Sequence, residues 1–505
     1  MSTFTTLCKE GKSSDIINEI ENMPKNLINF TNFFKNLCIY GILEYAILLY
    51  GKSIDNNVLE INNKNQIKCD EFLNIYFNEL FNLVCQNGHL KVAKWLLEIK
   101  QDIDISIDDE YAFKSACEKG HIKVAKWLLE IKPSINISIN YEYAFRYACA
   151  NGHLEVAIWL LEIKPTINIL INDNYVFRHA CENGHLKVAK WLLKIKPNLD
   201  ISIDYECAFR YTCEKGHLEI AKWLLEKKPN IDISIDGEFA FKYACHNGHL
   251  EIAKWLLEKK TNIDISIDDE FAFKYACHNG HLEIAKWLLE KKTDIDISID
   301  GEFAFRYACE QGHLEIAKWL LEKKTDIDIS IDGEFAFRSA CSEGHLEVAK
   351  WLLEKITDID ISIVEDIFIC LCEKRFIKIA KWLLEKKPEI NISIDNDYAF
   401  KFACVRNHLE IATWLSLLLP NKYIILNYNK SYIEYEIKIS PNITKYIKVS
   451  EFPECCICYE KSNLISFCKH DFCEVCINEL FKSKKILCAL CRSELKEKSF
   501  IKLIE

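Results

Sequence analysis

The sequence has no excess of positive charge. Across 505 residues, 64 Lys and Arg stand against 75 Asp and Glu, a net charge of -11. A nucleic-acid binder gains its affinity from a basic face, so this balance argues against that class. No apolar run is long enough to span a bilayer. The longest, Leu37 to Tyr50, is interrupted by Glu44 and falls short of the roughly 18–20 residues required. The N-terminus carries no basic stretch followed by an apolar one, so no signal peptide is expected. Phosphate-binding loops, H-E-x-x-H and Ser- or Cys-centred nucleophile motifs are also missing, which leaves hydrolase and nucleotide chemistry without support. The expectation is an intracellular, soluble protein with no nucleic-acid or membrane partner. Its 24 cysteines must then serve without disulfides, because the cytosol is reducing.

What the chain has in abundance is repetition. Gly-His recurs every 32 residues from Gly88 to Gly344, and Arg375 and Asn407 replace the glycine in two further copies. All eleven tryptophans occupy one repeat position, from Trp95 to Trp414. In one copy Phe305, Ala308 and Cys309 make a helical stripe that Gly312-His313 breaks. Leu314, Ala317, Leu320 and Leu321 make a second stripe, with Lys318 and Glu322 left for solvent. Thr325 to Gly333 alternates Ile with Asp or Ser, as an extended connector would. A single helix–turn–helix unit cannot bury both its faces, but a stack of such units can.

The turn and second helix, Ala308-Cys309-Glu310-Gln311-Gly312-His313-Leu314-Glu315-Ile316-Ala317-Lys318-Trp319-Leu320-Leu321, resemble the ankyrin repeat. The departure lies at the start of the unit, where Glu302-Phe303-Ala304-Phe305 stands in place of the family's Thr-Pro-Leu-His. The Ile-, Asn- and Lys-rich composition is similar to that of ankyrin proteins of giant DNA viruses of the mimivirus kind, which implies host cytoplasm. The fold class is therefore expected to be mostly α: a solenoid of about 11–13 units, with a small zinc-stabilised α+β domain after it. Residues 1–75 are read as degenerate capping units, with weaker glycine signals at Gly11 and Gly41 and an inserted loop at Asn56 to Asp70. The array follows over 76–418, and 419–450 forms a hairpin-bearing linker with its turn at Asn429-Lys430. The repeated cysteines, such as Cys309, are read as small core hydrophobes. The histidine after each glycine is expected to hydrogen-bond within its turn, and the tryptophans to fill the core or the repeat interface. The resemblance also implies that loop tips and the concave helical face bind a protein. The tips vary at Tyr141, Asn172, Tyr205, Gly237 and Asp269.

The tail, 451–496, is different. It is neutral, with nine basic and nine acidic residues from Glu451 to the end. Cys455-x2-Cys458, Cys468-x-His470, Cys473-x2-Cys476 and Cys488-x2-Cys491 supply eight ligands, enough for two closed tetrahedral zinc sites. Cys456 is too close to Cys458 to share that knuckle. A closed site has no open position for water, so the zinc is structural, and it supplies the folding free energy that so small a core lacks.

This spacing resembles the RING finger with seven Cys and one His. The resemblance implies a cross-brace, with Cys455, Cys458, Cys473 and Cys476 on one zinc and Cys468, His470, Cys488 and Cys491 on the other, and Phe472 packed between. It also implies three contacts to a ubiquitin-conjugating enzyme and its ubiquitin. Ile457 corresponds to the apolar contact on the first zinc loop, and Leu480 to the contact on the central helix. Arg492 corresponds to the cation that bridges the two proteins, a role its planar fork suits. Ala489-Leu490 stand where many members have proline. The expected activity is ubiquitin-protein ligation with no covalent intermediate on this chain. The alternative is an interaction scaffold whose RING is structural or dimerising.

Overall fold

The computed structural model describes residues 2–10, 13–21, 27–55, 66–356, 358–420, 422–428, 433–437, 446–448, 464–466, 471–472 and 500–504. These form 26 helices and six short strands. They fall into two compact units, Met1–Ile267 and Asp268–Glu505, each built from stacked helix–turn–helix pairs.

The pair Ile299–Glu310 and Leu314–Lys323 shows the local logic. Ala304, Phe305, Ala308 and Cys309 are buried on the first helix. Gly312 ends that helix at φ 82°. His313 N–H then donates to Ala308 O at 2.8 Å, and Gly312 N–H to Cys309 O at 3.2 Å. This 6→1 and 5→2 pattern is the Schellman motif, which needs a left-handed residue after the helix. The second helix buries Ile316, Ala317, Trp319 and Leu320. The expected stripe is thus wider and rotated: Leu314 and Leu321 are only half-buried, and Ile316 and Trp319 join the core. The reason is that this helix packs against its own partner and against the neighbouring pair at once.

The tryptophans make that second contact. Within each unit most pack on the first-helix phenylalanine of the preceding pair. Phe113 meets Trp159 at 6.3 Å and Phe209 meets Trp255 at 6.2 Å in the first unit. Phe273–Trp319 and Phe305–Trp351 repeat it in the second. Burying a ring of this size stabilises by about 1.5–3 kcal/mol.

The connectors are not extended. Thr325–Asp326 and Ile329–Ser330 are turns, and most connectors end in three consecutive left-handed residues, such as Asp300, Gly301 and Glu302. Alternating Ile and Asp here reflects which residues face the stack: Ile295 and Ile297 are buried, while Asp294, Asp296 and Asp300 point out.

Residues 2–55 also form helix pairs, Ser2–Glu10 with Ser13–Glu21 and Leu27–Ile39 with Leu43–Asp55. The next helix begins at Gln66, inside the stretch expected to be a loop. After Leu418, strands Tyr423–Tyr428 and Ile433–Ile437 pair antiparallel, with an irregularity between Ile425 and Asn427. Tyr423, Ile433, Tyr435 and Ile437 are buried, so this hairpin packs onto the array. Strands Tyr446–Lys448, Phe500–Ile504, Leu464–Ser466 and Asp471–Phe472 lie side by side in that order in one sheet. Leu464–Ser466 and Asp471–Phe472 run antiparallel.

Candidate protein-interaction face

The left-handed turns need an explanation. Left-handed backbone costs an L-residue about 1–2 kcal/mol, yet Asp108, Asp109 and Glu110, or Asp204, Tyr205 and Glu206, hold it in succession. Three sets of contacts offset that cost. The glutamate closes the turn on itself: Ser298 Oγ donates to Glu302 Oε2 at 2.7 Å. Where the geometry allows, it also takes an N–H from the next connector, as Glu110 Oε1 does from Asn136 at 3.4 Å. A cation on the first helix then stitches successive units. Arg306 donates to Asp300 O at 3.1 Å, pairs with Asp332 of the next turn, and lies 5.1 Å from the centre of the Phe335 ring. In the first unit Arg210 likewise pairs with Asp236, donates to Tyr205 O at 2.7 Å and covers Phe239.

Beside these cations runs a ladder of half-buried rings on the first helices. In the second unit it passes through Tyr275, Phe303, Tyr307 and Phe335, at centroid spacings of 5.4, 4.3 and 5.6 Å. In the first unit Tyr143, Tyr147 and Tyr175 form a similar run. Burial and the Glu118 carboxylate push the Tyr143 phenol up, and burial with its tyrosine neighbour takes Tyr175 to about 12. Both stay neutral hydrogen-bonding groups at any physiological pH. Half-buried aromatics beside fixed cations are what a protein partner's apolar and acidic groups can use. Neither the cation column nor the ladder was anticipated. Both occupy fixed repeat positions, but their partners in the next repeat lie 26–29 residues away, beyond any local pattern.

The remaining columns are structural. The repeated cysteines are buried and free, and burial drives their thiols well above the ordinary range, as at Cys213 and Cys277. The histidines do not bond within their turns: none supplies a side-chain cap. Instead several reach the preceding repeat's backbone. His121 bonds at Gln86 and His217 at Glu182. The ring covers the preceding glycine so closely that a Cβ on Gly88 would meet His121 Nδ1 at 2.5 Å. Of the variable tips, Tyr141 and Tyr205 are 76% and 71% exposed. Between second helices lie grooves, one of about 610 Å³ floored by Trp319, Ile295 and Ile297 and edged by Lys286, Glu290 and Lys323.

Among the described residues no group of three or more His, Cys, Asp or Glu could hold a metal, and no helix is long and apolar enough to cross a membrane. The expected zinc ligands Cys455, Cys458, Cys468, His470, Cys473, Cys476, Cys488 and Cys491, and the expected contacts Ile457, Leu480 and Arg492, lie outside the described residues.

Comparison with known proteins bears on the array. The family model "Ankyrin repeats (3 copies)" matches residues 80–173, 177–269, 209–299 and 273–365, more than half of the chain. Among solved structures, the human ASB11 ankyrin repeat domain is similar at 19% identity, covering 42% of this chain and 97% of that one, with a TM-score of 0.32. No curated protein sequence matches.

Proposed function

The chain belongs to the ankyrin-repeat family, a family of protein-interaction scaffolds, and from that premise we propose that it is a RING-type ubiquitin-protein ligase. The array captures a protein substrate, and the tail recruits a ubiquitin-conjugating enzyme charged with ubiquitin. The observation that carries this reading is the spacing of the eight Cys and His ligands from Cys455 to Cys491. Eight soft thiolate and imidazole donors suit two tetrahedral zincs and leave no open coordination position. The antiparallel strands Leu464–Ser466 and Asp471–Phe472 flank Cys468 and His470 in sequence.

The chemistry asked of this chain is positional. Ile457 and Leu480 supply apolar contacts to the conjugating enzyme, and Arg492 bridges enzyme and ubiquitin. Restricting a flexible thioester-linked pair favours attack by a substrate lysine, because orientation alone can lower a barrier by several kcal/mol. The zinc supplies the fold that holds these three residues. A second reading, a scaffold with a structural or dimerising RING, is favoured by Ala489-Leu490 in place of the usual proline. The intracellular setting, host cytoplasm on the viral resemblance, fits free buried thiols.

The test is a ubiquitination assay with the full chain and a panel of conjugating enzymes. Wild type builds ubiquitin chains on itself, whereas Ile457→Ala and Arg492→Ala retain zinc and lose that activity. Inactivity of the wild type across a broad panel selects the scaffold.

A further inference from the structure

The repeats are nearly identical, so the places where they differ are informative, and several differences converge on one edge of the first unit. Tyr141 and Tyr205 stand at loop tips where other units carry Asp, Gly or Asn. Leu170, 48% exposed, stands where the other connectors carry Ser. Ile195, at the end of its helix, is exposed like Ile131 and Ile163 at the same position before it, and the following units put Lys there. Lys194 replaces a glutamate found at that position from Glu98 to Glu385. As a result Leu186–Ile195 carries lysines and no carboxylate, unlike the other array second helices, and Lys196 extends the run. Neither Lys194 nor Lys196 forms an ion pair among the described residues, and both are exposed.

These positions belong to adjoining loops. Arg146 donates to Tyr141 O at 2.7 Å and covers Tyr175 of the next unit at 5.0 Å, which ties the Tyr141 turn to the unit that Leu170 opens. Asn174 then donates to Asp200 O at 3.0 Å, and Arg178 pairs with Asp204 at 3.3 Å. Both tie that unit to the connector running from Lys196 to Tyr205. The connectors Pro133–Ile139 and Pro165–Ile171 contain no carboxylate, whereas Thr293–Ile299 contains Asp294 and Asp296. The connector to Tyr205 does carry Asp200 and Asp204, but Lys228 pairs with the first at 3.2 Å and Arg178 with the second at 3.3 Å, so on a chain of net charge -11 the charges left unpaired beside this connector are Lys194 and Lys196.

We propose that the edge formed by Tyr141, Leu170, Ile195 and Tyr205, with Lys194 and Lys196, is the docking surface for a protein segment that presents apolar side chains alongside carboxylates. The inference deepens the reading of the array as a protein-capturing module and rests on it. Exposed tyrosines and aliphatics provide anchors that bury area on contact. The unpaired lysines select an acidic partner and speed its approach.

The repeat supplies the test, because each of these residues can be changed to one that a sister unit carries at the same position and tolerates. The probe is a fluorescein-labelled amphipathic peptide of leucine and glutamate, titrated by anisotropy into the full chain. Its controls are a leucine–lysine counterpart and a leucine-free glutamate peptide. Wild type binds the leucine–glutamate peptide at least tenfold more tightly than either control. Combining Tyr141→Asp, Leu170→Ser, Lys194→Glu, Ile195→Lys and Tyr205→Asp weakens binding at least tenfold with unchanged helical signal and melting. Equal binding by wild type and variant overturns the proposal. So does equal binding of the leucine-free peptide, which would mark a plain polyanion site, or a self-association that these substitutions abolish, which would make the occupant a second copy. Binding is read without ubiquitin transfer, so a wild type that binds the peptide but transfers no ubiquitin overturns the ligase reading and leaves this one standing.

Discussion

The ring of Tyr423 lies flat on that of Phe400, with centroids 4.2 Å apart and planes 5° from parallel. Phe400 is the last phenylalanine of its column, and no further repeat brings a tryptophan to cover it. Tyr423 takes that place, and Tyr435 adds an edge contact at 5.5 Å. The Tyr423 hydroxyl donates to Asp397 Oδ1 at 2.7 Å, 26 residues back, the interval at which one unit's turn meets the next unit's connector. The hairpin therefore imitates a following repeat and seals the array.

Tyr423→Ala should uncover the Phe400 ring and leave the Asp397 carboxylate with Lys422, at 2.5 Å, but without its hydroxyl donor. A cost of about 3–5 kcal/mol is expected, as for other buried aromatic truncations, while Tyr423→Phe should lose about 1 kcal/mol. Repeat arrays fray locally, so the measurement is amide exchange in Ile394–Val405 and Leu409–Leu418. Wild-type protection in the alanine variant would show that the hairpin is not the cap.

Gly312 is held twice. Its φ is 82°, and a Cβ there would meet His345 Nδ1 at 2.4 Å. Gly312→Ala should cost about 3 kcal/mol, combining left-handed strain with overpacking. Adding His345→Ala should recover the overpacking part only. A double-mutant cycle in urea checks this, and simple additivity would refute the contact.

The histidine column should make the array acid-sensitive. Burial lowers His121, His153, His185, His217, His249 and His313 below the ordinary value of 6.5. The unfolded chain then takes up protons before the folded one. The stability these rings contribute is complete above the ordinary value and is lost as pH falls from there through the lowered folded values. Carboxylates titrate mainly below about pH 5, so the window from 6.5 down to there reports the histidines. Phe376 already fills one such position and would meet a Cβ on Gly344 as the histidines meet theirs. Replacing His217 and His249 by Phe should accordingly flatten the dependence of the melting temperature on pH in that window. An unchanged slope would assign it elsewhere.

Metal removal should separate the two halves of the proposed activity. The described helices hold no metal cluster, while the ligands proposed between Cys455 and Cys491 would need zinc to fold. A chelator should abolish ubiquitin transfer and leave the helical circular-dichroism signal nearly intact. Collapse of that signal together with activity would place metal in the array.

Much of the fold was legible because the repeat multiplies a weak signal. A single Phe305-x2-Ala308-Cys309 stripe is ambiguous, but the same stripe at a 32-residue step is not. The buried cysteines and the tryptophan interface followed from it. The connectors misled because alternating Ile and Asp looks the same in a strand and in a turn whose isoleucines face a stack. The histidines misled because their partners sit in the preceding unit. The Tyr423 hairpin was visible as a hairpin, but its docking was not, since nothing near Tyr423 in sequence names Phe400.

The sequence by itself determined the period and the helix–turn–helix unit, and it holds the Cys and His spacing on which the proposed zinc tail rests, because each depends on residues within one unit or one cluster. Only the tertiary structure decided what the units do to one another: the Arg306–Asp332 stitch, the His345 ring over Gly312 and the Tyr423 seal on Phe400. Those contacts join residues 23–33 positions apart, and such pairs become neighbours only once the stacking has set their register.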